Sequence, residues 1–161
     1  MILTAYTLLH TLISLVGIVS GFVVLYGLLT NQSFDCSTSL FLWTTIATSI
    51  TGFFFPFHGF KPSYVVGGIS LVILVLAYRA RYSNQMMGAW RGTYVITAVT
   101  ALYLNFFVLI VQSFLKVPAL HTLAPTQTEP SFKIAQLTAL VLFIVLGIVA
   151  FKNFHVEPVA P

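Results

Sequence analysis

The sequence predicts an all-α membrane protein, a compact bundle of five transmembrane helices, and three observations carry the prediction. Of the 161 residues, 58% are hydrophobic and 6% are charged, a balance suited to lipid rather than water as solvent. Apolar runs recur along the chain at lengths close to the roughly 20 residues that cross a hydrocarbon core at about 1.5 Å per residue. The few charges stand near the ends of those runs, at headgroup depth. Together these place spans at 3–29, 38–58, 62–82, 90–116 and 131–152, with 117–130 as a structured interfacial connection.

The formal charge of +4 is dispersed, with no basic tract, which removes nucleic acid from the partners the chain is suited to. Cys36 is the single cysteine, so the chain has neither an internal disulfide nor a C-x-x-C metal or redox pair. Membrane lipids are the first partner expected, and a homo-oligomer or larger membrane complex the second.

The run at 3–29 lacks the basic start and small-residue cleavage site of an export signal and reads as a retained span. Ser14, Gly17 and Gly21 let another helix approach one face closely, while His10 interrupts the early apolar surface. A polar link containing Asn31, Gln32, Asp35 and Cys36 leads to the second span. There Thr44 and Thr48 align with Gly52, and Thr45 with Ser49, giving hydroxyls that bond to backbone or to a neighbouring helix. Pro56 lacks an amide donor and crowds the carbonyl of Gly52, so the helix kinks or ends early.

Residues 58–62 (HGFKP) read as a tight turn, with Pro62 opening the third helix. Arg79, Arg81 and Arg91 flank the next connection and are expected to reach out to lipid headgroups. In the fourth span Trp90 and Tyr94 suit the interface, and Tyr94, Ala98, Ala101, Asn105 and Gln112 recur close to one face. Asn105 falls near mid-membrane, where an amide needs a partner. In the connection that follows, Pro118 limits the fourth helix. Thr128 is placed to cap the fifth, and Glu129 to complement its dipole and to pair with Lys133 four residues on.

Five crossings put His10, His58, His121 and Glu129 at one end of the bundle, and Arg79, Arg81, Arg91, Lys152 and Cys36 at the other. Three imidazoles and a carboxylate are suitable zinc ligands, which makes the first set a candidate metal site, but no H-E-x-x-H or close histidine pair sharpens it. Asn105, Gln112 and His10 are candidates for orienting the polar end of a hydrophobic cofactor, a haem or a quinone, held on aromatic faces. Asp35, Glu129 and Glu157 all fall outside the predicted spans, which argues against a conventional proton pump. No nucleophile elbow, phosphate-binding loop or dinucleotide fingerprint is present, so nothing in the sequence points to catalysis. Arg79, Arg81, Arg91 and Lys152 outnumber Lys61, Lys116 and Lys133, which favours the arginine end as cytoplasmic and the N-terminus as outside.

At residues 51–57 (TGFFFPF), 88–94 (GAWRGTY), 101–108 (ALYLNFFV), 116–120 (KVPAL) and 123–130 (LAPTQTEP), the chain resembles a group of small uncharacterised bacterial inner-membrane proteins. Gly52, Pro56, Trp90, Arg91, Pro118, Pro125, Gln127 and Pro130 stand in these stretches, and the proline-bearing connection is the most distinctive of them. The resemblance covers most of the chain and implies a compact domain of the bacterial inner membrane, with no established activity to carry over. The function expected is that of a membrane structural or accessory protein, with a bound hydrophobic cofactor or lipid as an option. A channel or transporter component is the alternative, and a haem- or quinone-dependent redox protein the third.

Overall fold

A computed structural model describes residues 2–55 and 62–155. The regular elements in those residues are helical: α1 (Ile2–Thr30), α2 (Asp35–Gly52), α3 (Pro62–Tyr78), α4 (Ala89–Lys116), α5 (Pro118–Leu123) and α6 (Pro130–Asn153). A π-helical turn, Arg79–Ser83, extends α3. Four stretches among the described residues are long and apolar enough to cross a bilayer, Thr4–Thr30, Tyr64–Ser83, Ala89–Lys116 and Pro130–Asn153.

The expected five spans are therefore matched only in part. α2 is 18 residues long and is not among the four, because Asp35 and the hydroxyls of Ser37, Thr38, Ser39, Thr44, Thr45, Thr48, Ser49 and Thr51 lower its hydropathy. It stops at Gly52, short of the predicted 58, and Phe53 closes it with its amide bonded to the Ile50 carbonyl. Pro56 and His58 lie outside the described residues.

α1 and α2 form an antiparallel hairpin. Asn31 adopts the left-handed conformation at φ 57°, and the Gln32 amide returns 2.8 Å to the Gly27 carbonyl, the six-residue closure that satisfies a helix end and reverses the chain. Close approach along the hairpin depends on missing side chains. A Cβ at Gly21 would overlap Phe41 of α2 and Leu102 of α4, so three helices meet at that level.

α4 is the central element and packs against α1, α3 and α6. Its residues Tyr94, Val95, Ala98, Ala101 and Leu102 are buried with Val24 and Leu25 of α1, Phe41 and Leu42 of α2, Leu74 and Ala77 of α3, and Phe143 and Ala150 of α6. Lipid tails are as apolar as these side chains, so close van der Waals packing and interhelical hydrogen bonds hold such a core, in place of escape from water. α6 fully buries only Ala139, Phe143 and Ala150, Leu146 packs partly against the core, and most of its remaining apolar side chains face outward.

One end of the bundle gathers the α1–α2 link, the α3–α4 link and the end of α6. Asn153 Nδ2 donates to the Leu29 carbonyl at 3.0 Å, and the His155 amide to Asn31 Oδ1 at 2.7 Å. Arg91 corrects its expected role as a headgroup anchor. Its guanidinium donates to the Phe151 and Phe154 carbonyls and lies 5.1 Å from the Phe151 ring, so it caps α6, where a cation complements the negative helix end.

The opposite end holds the connection from α4 to α6. Pro118 opens α5 after Val117 turns extended, and Gln127, at φ 59°, sends its side chain 2.9 Å back to the Val111 carbonyl. Ser131 Oγ closes the connection on the Leu123 carbonyl at 2.8 Å. Pro125 stands just before this turn, and Pro130 takes the first position of α6, where a missing amide donor costs nothing.

Candidate functional site

Two polar constellations lie inside the bundle, one along the α1–α2–α4 seam and one at the arginine end. The seam starts where Tyr6 Oη donates 2.6 Å to the Thr51 carbonyl. His10 Nδ1 meets Thr51 Oγ1 at 2.8 Å, with its ring edge-on to Phe55 at 5.0 Å. One turn on, Ser14 Oγ reaches Thr48 Oγ1 at 3.4 Å. At the next level Asn105 Nδ2 donates 3.2 Å to Thr45 Oγ1.

Spacings of three and four residues on both helices generate this register. Gly17 opens it at the Asn105 level, since a Cβ there would stand 3.1 Å from Thr44 Oγ1, 3.3 Å from Thr45 Oγ1 and 3.4 Å from Asn105 Nδ2. Gly52 plays a looser version of the same part beside His10, at 3.8 Å. Several hydroxyls also donate to carbonyls of their own helix, as Ser14 to His10 and Thr51 to Ala47, so the stripe is satisfied locally as well as across the interface. Beyond Asn105 the seam meets Phe41, Leu102 and Val24, all buried, and the polar run stops.

The second constellation surrounds Arg81. Its side chain is only 7% exposed, against 85% for its ion-pair partner Asp35. The guanidinium donates to Asp35 Oδ1 and, at 3.2 Å, to Ser33 Oγ. It lies 5.2 Å from the Tyr94 ring centroid and 5.9 Å from that of Tyr82. Thr38 and Tyr94, both buried, wall the same small space beside it, and Met86 Sδ sits 3.7 Å from Nη1. The π turn produces the inward aim: its wider hydrogen bonding, with the Asn84 amide 2.9 Å from the Arg79 carbonyl, shifts the helical register so that Ala80 and Arg81 are both buried. A cavity of about 10 Å³ remains beside the guanidinium, walled by Gln32, Ser33, Thr38, Tyr94 and Phe154 among others. That is close to the least volume that holds one water.

The expected site residues are distributed as follows. Asn105 and His10 share the seam two helical levels apart, whereas Gln112 is exposed on α4. His121 is exposed on α5. Glu129 takes the Thr126 amide at 3.1 Å and hydroxyl at 2.9 Å on Oε1, and the Thr128 amide at 3.0 Å on Oε2. This corrects the expected ion pair with Lys133, because a carboxylate that folds back on local donors is already satisfied. Glu129 also stands at the N-cap of α6 without a side-chain capping bond, so the cap expected from Thr128 is absent too. Partial loss of solvation opposes its charge, but the bonds from its own amide, Thr126 and Thr128 outweigh it and hold its carboxyl below the usual range. Among the described residues no group of three His, Cys, Asp or Glu side chains is placed to hold a metal ion.

Sequence reasoning missed Arg81, Asp35, Thr38 and the inward role of Tyr94. A signal was present, since Arg79 and Arg81 stand two apart and therefore project about 200° from one another on a helix. Both could not face headgroups in the same way. No family model, curated protein or solved structure matches the chain.

Proposed function

We propose that the chain is a structural or accessory protein of the bacterial inner membrane, a five-span scaffold whose partners are lipids and the subunits of a larger membrane complex. The observation that supports this most directly is the use made of Asn105, the one amide expected near mid-membrane. It is spent on Thr45 across the interface, at the level where Gly17 of α1 leaves room for it. An amide so engaged acts as interhelical glue, while broad apolar faces on α1, α3 and α6 remain directed outward.

The fifth span in this reading is α2. Its contacts with α1 run from Phe34 beside Gly27 to Thr51 beside Tyr6, the full depth of a helix that is itself long enough to cross. A hydroxyl-rich helix is tolerated in hydrocarbon when neighbours and its own carbonyls take up its donors. The arginine end then faces the cytoplasm and α5 lies at the outer interface.

Extraction of the full chain in mild detergents tests the accessory role. A stoichiometric membrane partner recovered in several such detergents is expected, and a chain that runs alone under all of them removes the reading. The seam from Tyr6 to Asn105 favours a second reading, a component of a passive pathway completed by a partner subunit. It predicts a solute or ion flux in reconstituted liposomes that Asn105→Ala alters, and a correctly inserted chain without flux across a broad screen removes it.

A further inference from the structure

We propose that Arg81 is the core of an oxyanion-binding site, a receptor for a phosphate group that Asp35 occupies in the present state. The inference starts from an asymmetry. Arginine stays charged in proteins and presents five N–H donors in a rigid fork matched to carboxylate and phosphate. Arg81 is largely shut off from bulk water, its side chain being 7% exposed, yet its one ionic partner among the described residues is 85% exposed and is engaged through a single oxygen, which takes Nη2 of Arg81 and the Ser33 hydroxyl. The buried cation therefore needs an acceptor at all times, but the acceptor it has is the more easily released of the pair.

The surroundings fit an exchange of one oxyanion for another. Ser33 Oγ accepts from the guanidinium at 3.2 Å and donates to Asp35 Oδ1 at 3.2 Å, so the hydroxyl that now serves the carboxylate is placed to serve a second anion, and the polar residues Gln32 and Thr38 share the wall of the small cavity beside it. The cavity, at about 10 Å³, is too small for a phosphate beside the carboxylate, which makes the two occupants mutually exclusive. Asp35 begins α2 directly after the open link 31–34, so its departure requires no helix to move. Arg79 and Lys152, both exposed near this end, add positive potential that draws anions toward it.

A phosphate group here has two sources, the headgroup of an anionic phospholipid and free inorganic phosphate. The headgroup source rests on the membrane reading above, whereas the free-phosphate source does not, so the two can fail separately. The test uses the full chain as wild type, Asp35→Asn and Arg81→Gln. Inorganic phosphate is titrated in detergent, and retained lipid is counted by native mass spectrometry from nanodiscs of phosphatidylcholine with or without phosphatidylglycerol. Asp35→Asn keeps an acceptor for the guanidinium while removing the competing charge, and it is expected to bind one probe about tenfold tighter than wild type. Arg81→Gln is expected to lose that binding. A gain for phosphate in detergent assigns the site to the free anion; a gain confined to phosphatidylglycerol assigns it to the headgroup. If Asp35→Asn folds and binds neither probe more tightly than wild type, Asp35 is a structural partner only and the proposal is overturned. The same holds if Asp35→Asn combined with Arg81→Gln keeps the gain. Should Arg81→Gln fail to fold, the comparison of Asp35→Asn with wild type decides alone.

Discussion

Asn105 and Thr45 make the clearest side-chain contact between helices in the middle of the bundle, 3.2 Å apart, and their coupling is measurable. In membranes the alternative state also finds partners for polar groups, so such a bond contributes about 0.6 kcal/mol and seldom more than about 1.7 kcal/mol. Asn105→Ala and Thr45→Val should therefore each destabilise the protein modestly, and a double-mutant cycle by thermal denaturation in detergent should give a coupling in that range. Additive losses would mean that the two side chains do not share a bond. Glu129 carries a pH dependence of definite sign. Its folded carboxyl titrates below the ordinary value near 4.5 because Thr126 and Thr128 donate to its charged form. That stabilisation is complete above the ordinary value and disappears as pH falls through the lower, folded value. Protection of the Thr126 and Thr128 amides from hydrogen exchange, taken relative to the intrinsic rate at each pH, should fall as the carboxyl protonates below its ordinary range, and Glu129→Gln should show weak protection at every pH. Equal protection in wild type and variant at neutral pH would refute the assignment.

At the scale of elements, packing depends on what is missing from α1 as much as on what is present. Gly21 sits where a Cβ would overlap Leu102 and Phe41, both fully buried, so Gly21→Leu has to push α2 or α4 away. Overpacking of this kind costs about 1–3 kcal/mol, and the expected result is a lower melting temperature, with Gly21→Ala milder than Gly21→Leu. By contrast Gly68, whose added Cβ would meet nothing within 4 Å, should accept alanine with little change. The α4–α6 pair presents a second element-scale test. Arg91 bonds the last carbonyls of α6 from the first turn of α4; replacing it with alanine should loosen that end by up to about 2 kcal/mol, visible as faster exchange of amides near the end of α6. Unchanged exchange there would show that the cap contributes nothing.

At the scale of the whole molecule a polar seam runs from Tyr6 to Asn105 in the middle of the bundle and stops at Phe41 and Leu102, and the Arg81 cluster begins beyond them. The proposed five crossings, with the arginine end inside, predict that Cys36 and a cysteine replacing His121 are labelled by an impermeant maleimide from opposite sides of the membrane, Cys36 from the cytoplasmic one. Labelling of both from one side would leave α2 or a neighbour uncrossed. Much of this architecture was legible in the chain, because apolar length, proline placement and the left-handed preference of residues such as Asn31 act locally. The boundaries of α4, Ala89–Lys116, fall within a residue of those expected, since Gly88 and Pro118 interrupt the helix from inside the sequence. Of the expected stripe on α4, helical period put Tyr94, Ala98 and Ala101 in the core and Asn105 beside Thr45, whereas Gln112 at its far end is exposed. The fate of the charges was not. Reading Arg81 and Arg91 as headgroup anchors follows from their position at span ends, yet a π turn rotates the first inward and the end of α6 claims the second. By itself, then, the sequence determined that this is an all-helical chain with membrane-length apolar helices, through solvent preference and local sterics. Only the tertiary structure decided which polar groups meet, because Asp35 and Arg81, or Thr45 and Asn105, are brought together by helices packing across dozens of residues, a distance over which periodicity carries no information.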